Sequence, residues 1–336
     1  MHIFVLSTGG TIGSAAENGV ISPEAGQEMT LLRMYRSTYK AAAQFTVRRV
    51  CDILSENAND MYYEALLAAL RDIPTDADGV IVLHGTDTLS YTAALCAMAC
   101  GGVCRVPVGF VSSAYVLSDT RQNGVCNFHA AVRYIECGGI GFFVPYRNTD
   151  GSVQIHLATR VMEADAFSSD FQSAKKQVLA HVAADGTVQF SDAPDLPSRA
   201  QLSNVQETAG LTDLRFQKSV LPIKLYPNFD FSAIQPNRES CAAVLLLGYH
   251  SGTAPARALS AFAKRMQAQE TPVHLAPIPR AEALYESTHE LLKIGVNPIF
   301  SMTAESALAK LKLAYNQTAY PPEKFLKKEL YYEEVT

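Results

Sequence analysis

Apolar residues along this chain fall into two kinds of run. Short, nearly continuous runs at His2–Leu6, Gly79–Leu83, Pro107–Val111, Ile140–Val144 and Ala242–Leu247 have the length and β-branched content of strands covered on both faces. Between them lie stretches with helical apolar spacing: Tyr62–Ile73, Ser90–Cys100, Val125–Glu136, Ala256–Gln269, Ala281–Leu292 and Ala304–Tyr315. Strands alternating with helices predict a parallel sheet with helices on both faces. Shorter strands are expected at Phe45–Val47, Val153–Leu157, Ile223–Tyr226 and Val273–Leu275, the second entered through a turn at Thr149-Asp150-Gly151. The polar stretch from Ala15 to Gln44, with Gly19, Pro23 and Gly26, reads as a mobile loop followed by a helix over Met29–Ala43. A short helix is expected at Phe231–Ile234 and a charged capping helix over Pro321–Glu334. Pro194, Pro197 and the small polar residues around them mark a boundary. The expected fold is α/β. A larger N-terminal domain, residues 1–190, has a mostly parallel sheet flanked by helices and carries the site. A linker, 191–219, leads to a smaller α/β domain, 220–336.

Composition narrows the class. At 336 residues, 48% apolar and 18% charged, the chain can bury substantial cores. A net charge of −5 without a basic cluster argues against nucleic acid as a partner. The first residues lack the cationic start and cleavage site of a signal peptide, and no apolar run reaches the roughly 18 residues of a membrane span. Seven cysteines form no C-x-x-C pair; Cys96, Cys100 and Cys104 recur at helical spacing and read as core thiols. A cytoplasmic, reducing location is expected. The histidines show no metal-ligand spacing, so neither a metal nor another cofactor is expected.

The candidate chemistry lies where two strands stop. His2–Leu6 runs into Ser7-Thr8-Gly9-Gly10-Thr11-Ile12-Gly13, and Gly79–Leu83 runs into His84-Gly85-Thr86-Asp87-Thr88. The glycines allow tight backbone angles and close approach of a ligand. Their spacing matches neither a dinucleotide fingerprint nor a phosphate loop. Threonine is a weak nucleophile until its proton is taken, and a second hydroxyl beside a carboxylate offers a relay. Taken alone, Thr86-Asp87-Thr88 reads equally as a helix N-terminal cap. Ser55 closes a third such segment, so polar groups are expected to converge at one sheet edge. His84, between an apolar strand and a glycine, is expected to be a structural hydrogen-bonder rather than a base.

Together, Thr8-Gly9-Gly10-Thr11-Ile12 and His84-Gly85-Thr86-Asp87-Thr88, in this order and about 75 residues apart, resemble the two signature motifs of the bacterial-type L-asparaginase/glutaminase family, cytoplasmic type I-like. Ser55-Glu56-Asn57 is similar to that family's substrate-carboxylate segment. Arg121, Gly124, Asn127 and Ala130 resemble a helix-start pattern. Tyr226-Pro227 and Met302-Thr303-Ala304-Glu305 with Lys310-Leu311 resemble landmarks of its second domain. The resemblance implies hydrolysis of L-asparagine to L-aspartate and ammonia through an acyl-enzyme on Thr11. Backbone N–H groups near Thr11 and Thr86 would hold the oxyanion. Thr86 would position water or relay protons, and Asp87 would hold the substrate's ammonium. Gly10, Ser55, Glu56, Gly85, Thr86 and Asp87 would line the pocket for a small amino acid. The resemblance also implies a homodimer or homotetramer, with Tyr249, His250, Tyr285 and Glu286 as candidates for a contribution to a neighbouring subunit's site.

Two departures stand out. The family places a lysine after the hairpin that follows the first domain's last strand, where this chain has no lysine between Tyr146 and Ala174. Arg160 is the first occupant to consider. It keeps its proton, but could pair with Asp87 through its planar fork. A surface cation is the plainer reading of Arg160, and a shifted register puts Glu163 in the lysine's place. The loop after Thr11 also lacks a tyrosine to assist the nucleophile, the first being Tyr35. Three alternatives remain open: a weak or inactive amino-acid binder on this scaffold, an amidase for glutamine or another small amide, and a catalytic chain of a tRNA-dependent amidotransferase. The third is disfavoured by the lack of a basic face and of an added β-rich N-terminal domain.

Overall fold

The computed structural model describes residues 1–17, 20–24, 26–40, 42–208, 210–211 and 214–335. The chain divides into two compact units, residues 1–208 with 330–332 and residues 209–329 with 333–336. The first contains β1 (His2–Gly9), β2 (Ser14–Glu17), β3 (Val20–Pro23), α1 (Gln27–Tyr39), β4 (Gln44–Ile53), α2 (Asp60–Arg71), β5 (Gly79–Leu83) and α3 (Leu89–Cys100). It continues with β6 (Val108–Val111), α4 (Gly124–Glu136), β7 (Phe142–Arg147), β8 (Val153–Leu157), β9 (Ala180–Val182), β10 (Val188–Phe190) and α5 (Arg199–Ser203). The second contains β11 (Ser219–Lys224), β12 (Cys241–Leu247), α6 (Ala256–Ala268), β13 (Val273–Ile278), α7 (Glu286–Lys293), β14 (Asn297–Phe300), α8 (Ala304–Ala314) and α9 (Pro322–Phe325).

The main sheet has eight strands in the order β10-β9-β8-β7-β6-β5-β1-β4. From β4 to β7 the neighbours are parallel; β8, β9 and β10 extend the sheet antiparallel. The α/β class with a parallel-dominated sheet is therefore as the apolar runs predict. Every residue of β5 is buried, as a doubly covered strand requires. Helix α3 is apolar on all sides, and only Tyr91 in it is not buried. The second unit has a four-stranded parallel sheet, β11-β12-β13-β14. Alternate residues of β12 serve opposite faces: Val244 and Leu246 meet Leu259, Phe262 and Leu291, whereas Leu245 packs with Ile299 and Leu311.

Several elements differ from expectation, each for a local reason. The stretch read as a mobile loop holds the β2–β3 hairpin, which pairs Ser14 to Glu17 with Pro23 to Val20; Asn18 and Gly19 lie outside the described residues. The helix read from Ala281 begins only at Glu286, because Ala281, Glu282 and Ala283 are exposed and have no face to bury. The tail helix shrinks to α9, one turn that buries Phe325. Strand β14 escapes sequence reading because Pro298 argues against a strand, yet β14 is a sheet edge, where proline is tolerated. In the first unit, Tyr331 is buried and its hydroxyl accepts from Phe142 N at 2.8 Å. Its ring fills the space that a side chain at Gly101 would need, and its hydroxyl the space at Gly141.

Burial lowers the pKa of His84 and His274 to about 4 and of His156 to about 3, the last helped by the charge of His181. An unfolded histidine titrates near 6.5. Between those values the unfolded chain binds protons that the fold excludes, so this stability is complete above about pH 6.5 and is lost as pH falls toward 4. The unfolding free energy in urea is expected to be level from pH 8 to 7. Below 6.5 it should fall by up to about 1.4 kcal/mol per pH unit for each of these histidines. A flat profile down to pH 5 would contradict this.

Candidate active site

Strands β4, β1 and β5 are neighbours and run parallel, so their carboxyl ends share one edge of the sheet. Ser55 follows β4, Thr11 follows β1 and Thr86 follows β5. The sequence joins these three ends by backbone contact. Gly9 and Gly10 both take positive φ, 95° and 76°, and Gly10 N donates to Ile53 O at 2.8 Å. A Cβ on Gly10 would drive into the backbone of Gly85 and lie 2.7 Å from the carbonyl carbon of His84. A Cβ on Gly85 would lie 2.7 Å from the Cβ of Ser55 and 3.2 Å from the Cα of Gly10. Two hydroxyls complete the seam: Thr8 Oγ1 donates to Leu83 O at 2.7 Å, and Thr88 Oγ1 to Ser55 O at 2.9 Å.

Thr11 opens a one-turn 3-10 segment, Thr11–Gly13, and is half-buried. Gly13 N and Ser14 Oγ both donate to Gly10 O, at 2.9 and 2.7 Å, and fix the turn. Buried Ile12 anchors it: a Cβ on Gly124, the first residue of α4, would lie 3.2 Å from Ile12 Cδ1. Among the described residues, the Thr11 hydroxyl makes no hydrogen bond, which leaves it available to a ligand. Thr86 is half-buried and Asp87 exposed; their contact, Thr86 Oγ1 to Asp87 Oδ1, is a weak 3.4 Å. Ser55 is buried, and Glu56 beside it is exposed. Thus Gly10, Ser55 and Gly85 touch, and Thr11, Thr86, Asp87 and Glu56 adjoin them in the chain.

His84 is a structural group, as its sequence setting suggests. Its Nδ1 meets Gly85 O at 2.7 Å and its Nε2 meets Thr92 Oγ1 at 3.0 Å, and burial holds it neutral with a pKa of about 4. Tyr35 is a core residue of α1, its ring 5.0 Å from that of Phe128, so it does not lie on the loop after Thr11.

Arg160 is not the surface cation considered from sequence; it is 3% exposed. Its Nε donates to Tyr332 O at 2.9 Å and its Nη1 to Asp195 O at 2.5 Å. Neighbouring Thr159 donates to Tyr331 O at 2.9 Å. Arg160 thus commits donors to main-chain carbonyls and fixes the chain that leads to Glu163. The Glu163 carboxylate accepts from Tyr91 OH at 2.7 Å, on the helix that Asp87 and Thr88 introduce. Sequence reading named Glu163 only as a second occupant and missed Tyr91, whose signal is its spacing of one helical turn from Asp87. Tyr249, His250, Tyr285 and Glu286 lie in the second unit.

Among the described residues no group of three or more His, Cys, Asp or Glu could hold a metal, and no helix is long and apolar enough to cross a membrane.

Comparison with known proteins bears on the whole chain. An L-asparaginase from Thermococcus kodakarensis is 24% identical over 329 residues, which span 95% of this chain and 94% of that protein. A glutamyl-tRNA(Gln) amidotransferase component from Thermoplasma acidophilum is 30% identical over 222 residues, 60% of this chain and 51% of that protein, so the chain spans about half the length of this relative. The solved structure of the thermostable L-asparaginase from Thermococcus kodakarensis superposes with a TM-score of 0.79 at 23% identity, covering 100% of both chains. Residues 2–196 match the family model for the asparaginase N-terminal domain. With more than half of its length matched by that model, the chain belongs to the asparaginase family.

Proposed function

We propose that this protein hydrolyses L-asparagine to L-aspartate and ammonia, with Thr11 as nucleophile. The observation that carries this reading is the contact of Gly10 with Gly85, since it sets the strand ends bearing Thr11 and Thr86 side by side. Thr11 Oγ1 attacks the side-chain amide carbon and ammonia leaves. Water then cleaves the resulting ester. Main-chain N–H groups at the ends of β1 and β5 face the developing oxyanion, where fixed donors act most strongly. Asp87, exposed at the rim, takes the substrate's ammonium. Ser55 and Glu56 take its charged groups from the side of β4. Thr86, with only a weak contact to Asp87, is free to turn its hydroxyl toward water. Arg160 supports the site by holding the 159–163 segment rather than by moving protons.

The substrate on this reading is a free amino acid, and the protein is a cytoplasmic homodimer or homotetramer. All seven cysteines are free, which agrees with a reducing compartment. Glutamine differs from asparagine by one methylene, worth only about 1–3 kcal/mol in a pocket, so it is the first competing substrate. The absence of lysine from residues 147–173 favours one second reading, an amino-acid binder with little turnover.

Purified protein is expected to release ammonia from asparagine faster than from glutamine. Thr11→Ala should lower kcat about 10³-fold or more at an unchanged melting temperature. Asp87→Asn should raise KM about 10- to 100-fold, as loss of a charged hydrogen-bond partner does. Aspartate that raises the melting temperature of a protein releasing no ammonia from any small amide would establish the binder instead.

Gly10→Ala tests the seam itself. Positive φ and the collision with Gly85 together should cost about 2–4 kcal/mol in urea unfolding. Gly13→Ala, in the same turn but with open space around its Cβ, should stay within about 0.5 kcal/mol of the parent. Equal effects of the two would show that the contact does not constrain the turn.

A further inference from the structure

Cleavage of the Thr11 ester needs a group that accepts a proton from water, and the groups placed so far do not provide one. His84 has both ring nitrogens engaged and is held neutral by burial. Asp87 is assigned to the substrate's ammonium. Thr11 and Thr86 offer hydroxyls, which can pass a proton on but do not keep it.

The structure ties a further carboxylate to the first turn of the helix that follows the second motif. Glu163 lies beyond β8 in a segment fixed along its length. Thr159 and Arg160 donate to the carbonyls of Tyr331 and Tyr332, Val161 bridges Ser173, and Met162 N donates to Gln172 O at 2.9 Å. From this segment the exposed carboxylate of Glu163 reaches Tyr91 OH, 2.7 Å away. Tyr91 is the third residue of α3 and the one residue of that helix that is not buried. Side chains on a helix lean toward its N-terminus and cover the preceding turn. The Tyr91 side chain therefore leans over the turn that Asp87 and Thr88 begin, and it holds the Glu163 carboxylate beside the first turn of α3, the helix that the Thr86-Asp87-Thr88 segment leads into. The first turn of a helix also favours negative charge.

Resting on the Thr11 reading, we infer that Glu163, oriented by Tyr91, is the proton acceptor of the second half of the reaction. Water bonds to the acyl carbon as one of its protons moves to the Thr86 hydroxyl, which passes its own to the Glu163 carboxylate. When the tetrahedral intermediate collapses, the carbon–oxygen bond to Thr11 breaks. The Thr11 oxygen then takes back a proton by the reverse path, leaving Glu163 ionised and the product as a carboxylic acid. An ammonium in this place would have to lose a proton before it could accept one; a carboxylate accepts directly.

The test is to follow ammonia from asparagine in the full-length protein through the first turnover and the steady state. Glu163→Gln should release about one ammonia per chain in a burst and then turn over about 100-fold or more slowly, with a lowered KM. Mass spectrometry should find the acyl group on Thr11. Formate should restore part of the activity of Glu163→Ala. Tyr91→Phe should lower kcat about tenfold with the melting temperature unchanged. A Glu163→Gln protein within about threefold of the parent overturns the inference, as does one that slows without burst or adduct. In either case a dead Thr11→Ala variant leaves the Thr11 reading standing. Turnover that survives Thr11→Ala, or a parent that releases no ammonia, overturns both.

Discussion

The contact on which this site depends has no side chain in it. Gly10 and Gly85 press backbone against backbone, and Ser55 closes the third side. Because Cβ atoms are excluded on both sides, two strand ends come closer than any other residues would permit. The next residue on each is a threonine. Hydrogen bonds from Thr8 and Thr88 tie the same three ends together, so the approach of the Thr11 and Thr86 backbones is set by the sheet rather than by flexible loops. Such preorganisation is what a site needs when its nucleophile is weak.

Around this seam, polar groups divide into those the fold consumes and those it leaves for chemistry. His84, Thr8, Thr88 and Arg160 spend their hydrogen bonds on the protein itself. Among the described residues the Thr11 hydroxyl makes no hydrogen bond, and exposed Asp87 has only the weak contact with Thr86. The same motif therefore holds both kinds, and residue type does not distinguish them. In His84-Gly85-Thr86-Asp87-Thr88, the histidine and the last threonine are structural, whereas Thr86 and Asp87 between them keep only a weak contact with each other.

Much of this was legible in the sequence because the signals are local. Continuous apolar runs fixed β1, β5, β12 and the buried helix α3, and glycines that follow strands marked the two motifs. What escaped is long-range or contrary to propensity. The β2–β3 hairpin is built from two four-residue strands rich in alanine and serine, too short and too weakly apolar for an alternating pattern to show. Pro298 hides β14. Arg160 looks like a rim cation until its partners 35 and 172 residues away are known. The Tyr91–Glu163 bond likewise spans 72 residues, and nothing in either neighbourhood announces it.

The placement of Tyr331 bears on how the molecule is made. Its hydroxyl serves Phe142 beside Gly141, its ring fills the gap at Gly101, and its carbonyl receives Thr159, 172 residues upstream. During synthesis the strands of the large sheet emerge long before this tyrosine does. The strands of the sheet can therefore pair on the ribosome, but the 159–163 segment gains its last two anchors, the carbonyls of Tyr331 and Tyr332, only when those residues have left the exit tunnel.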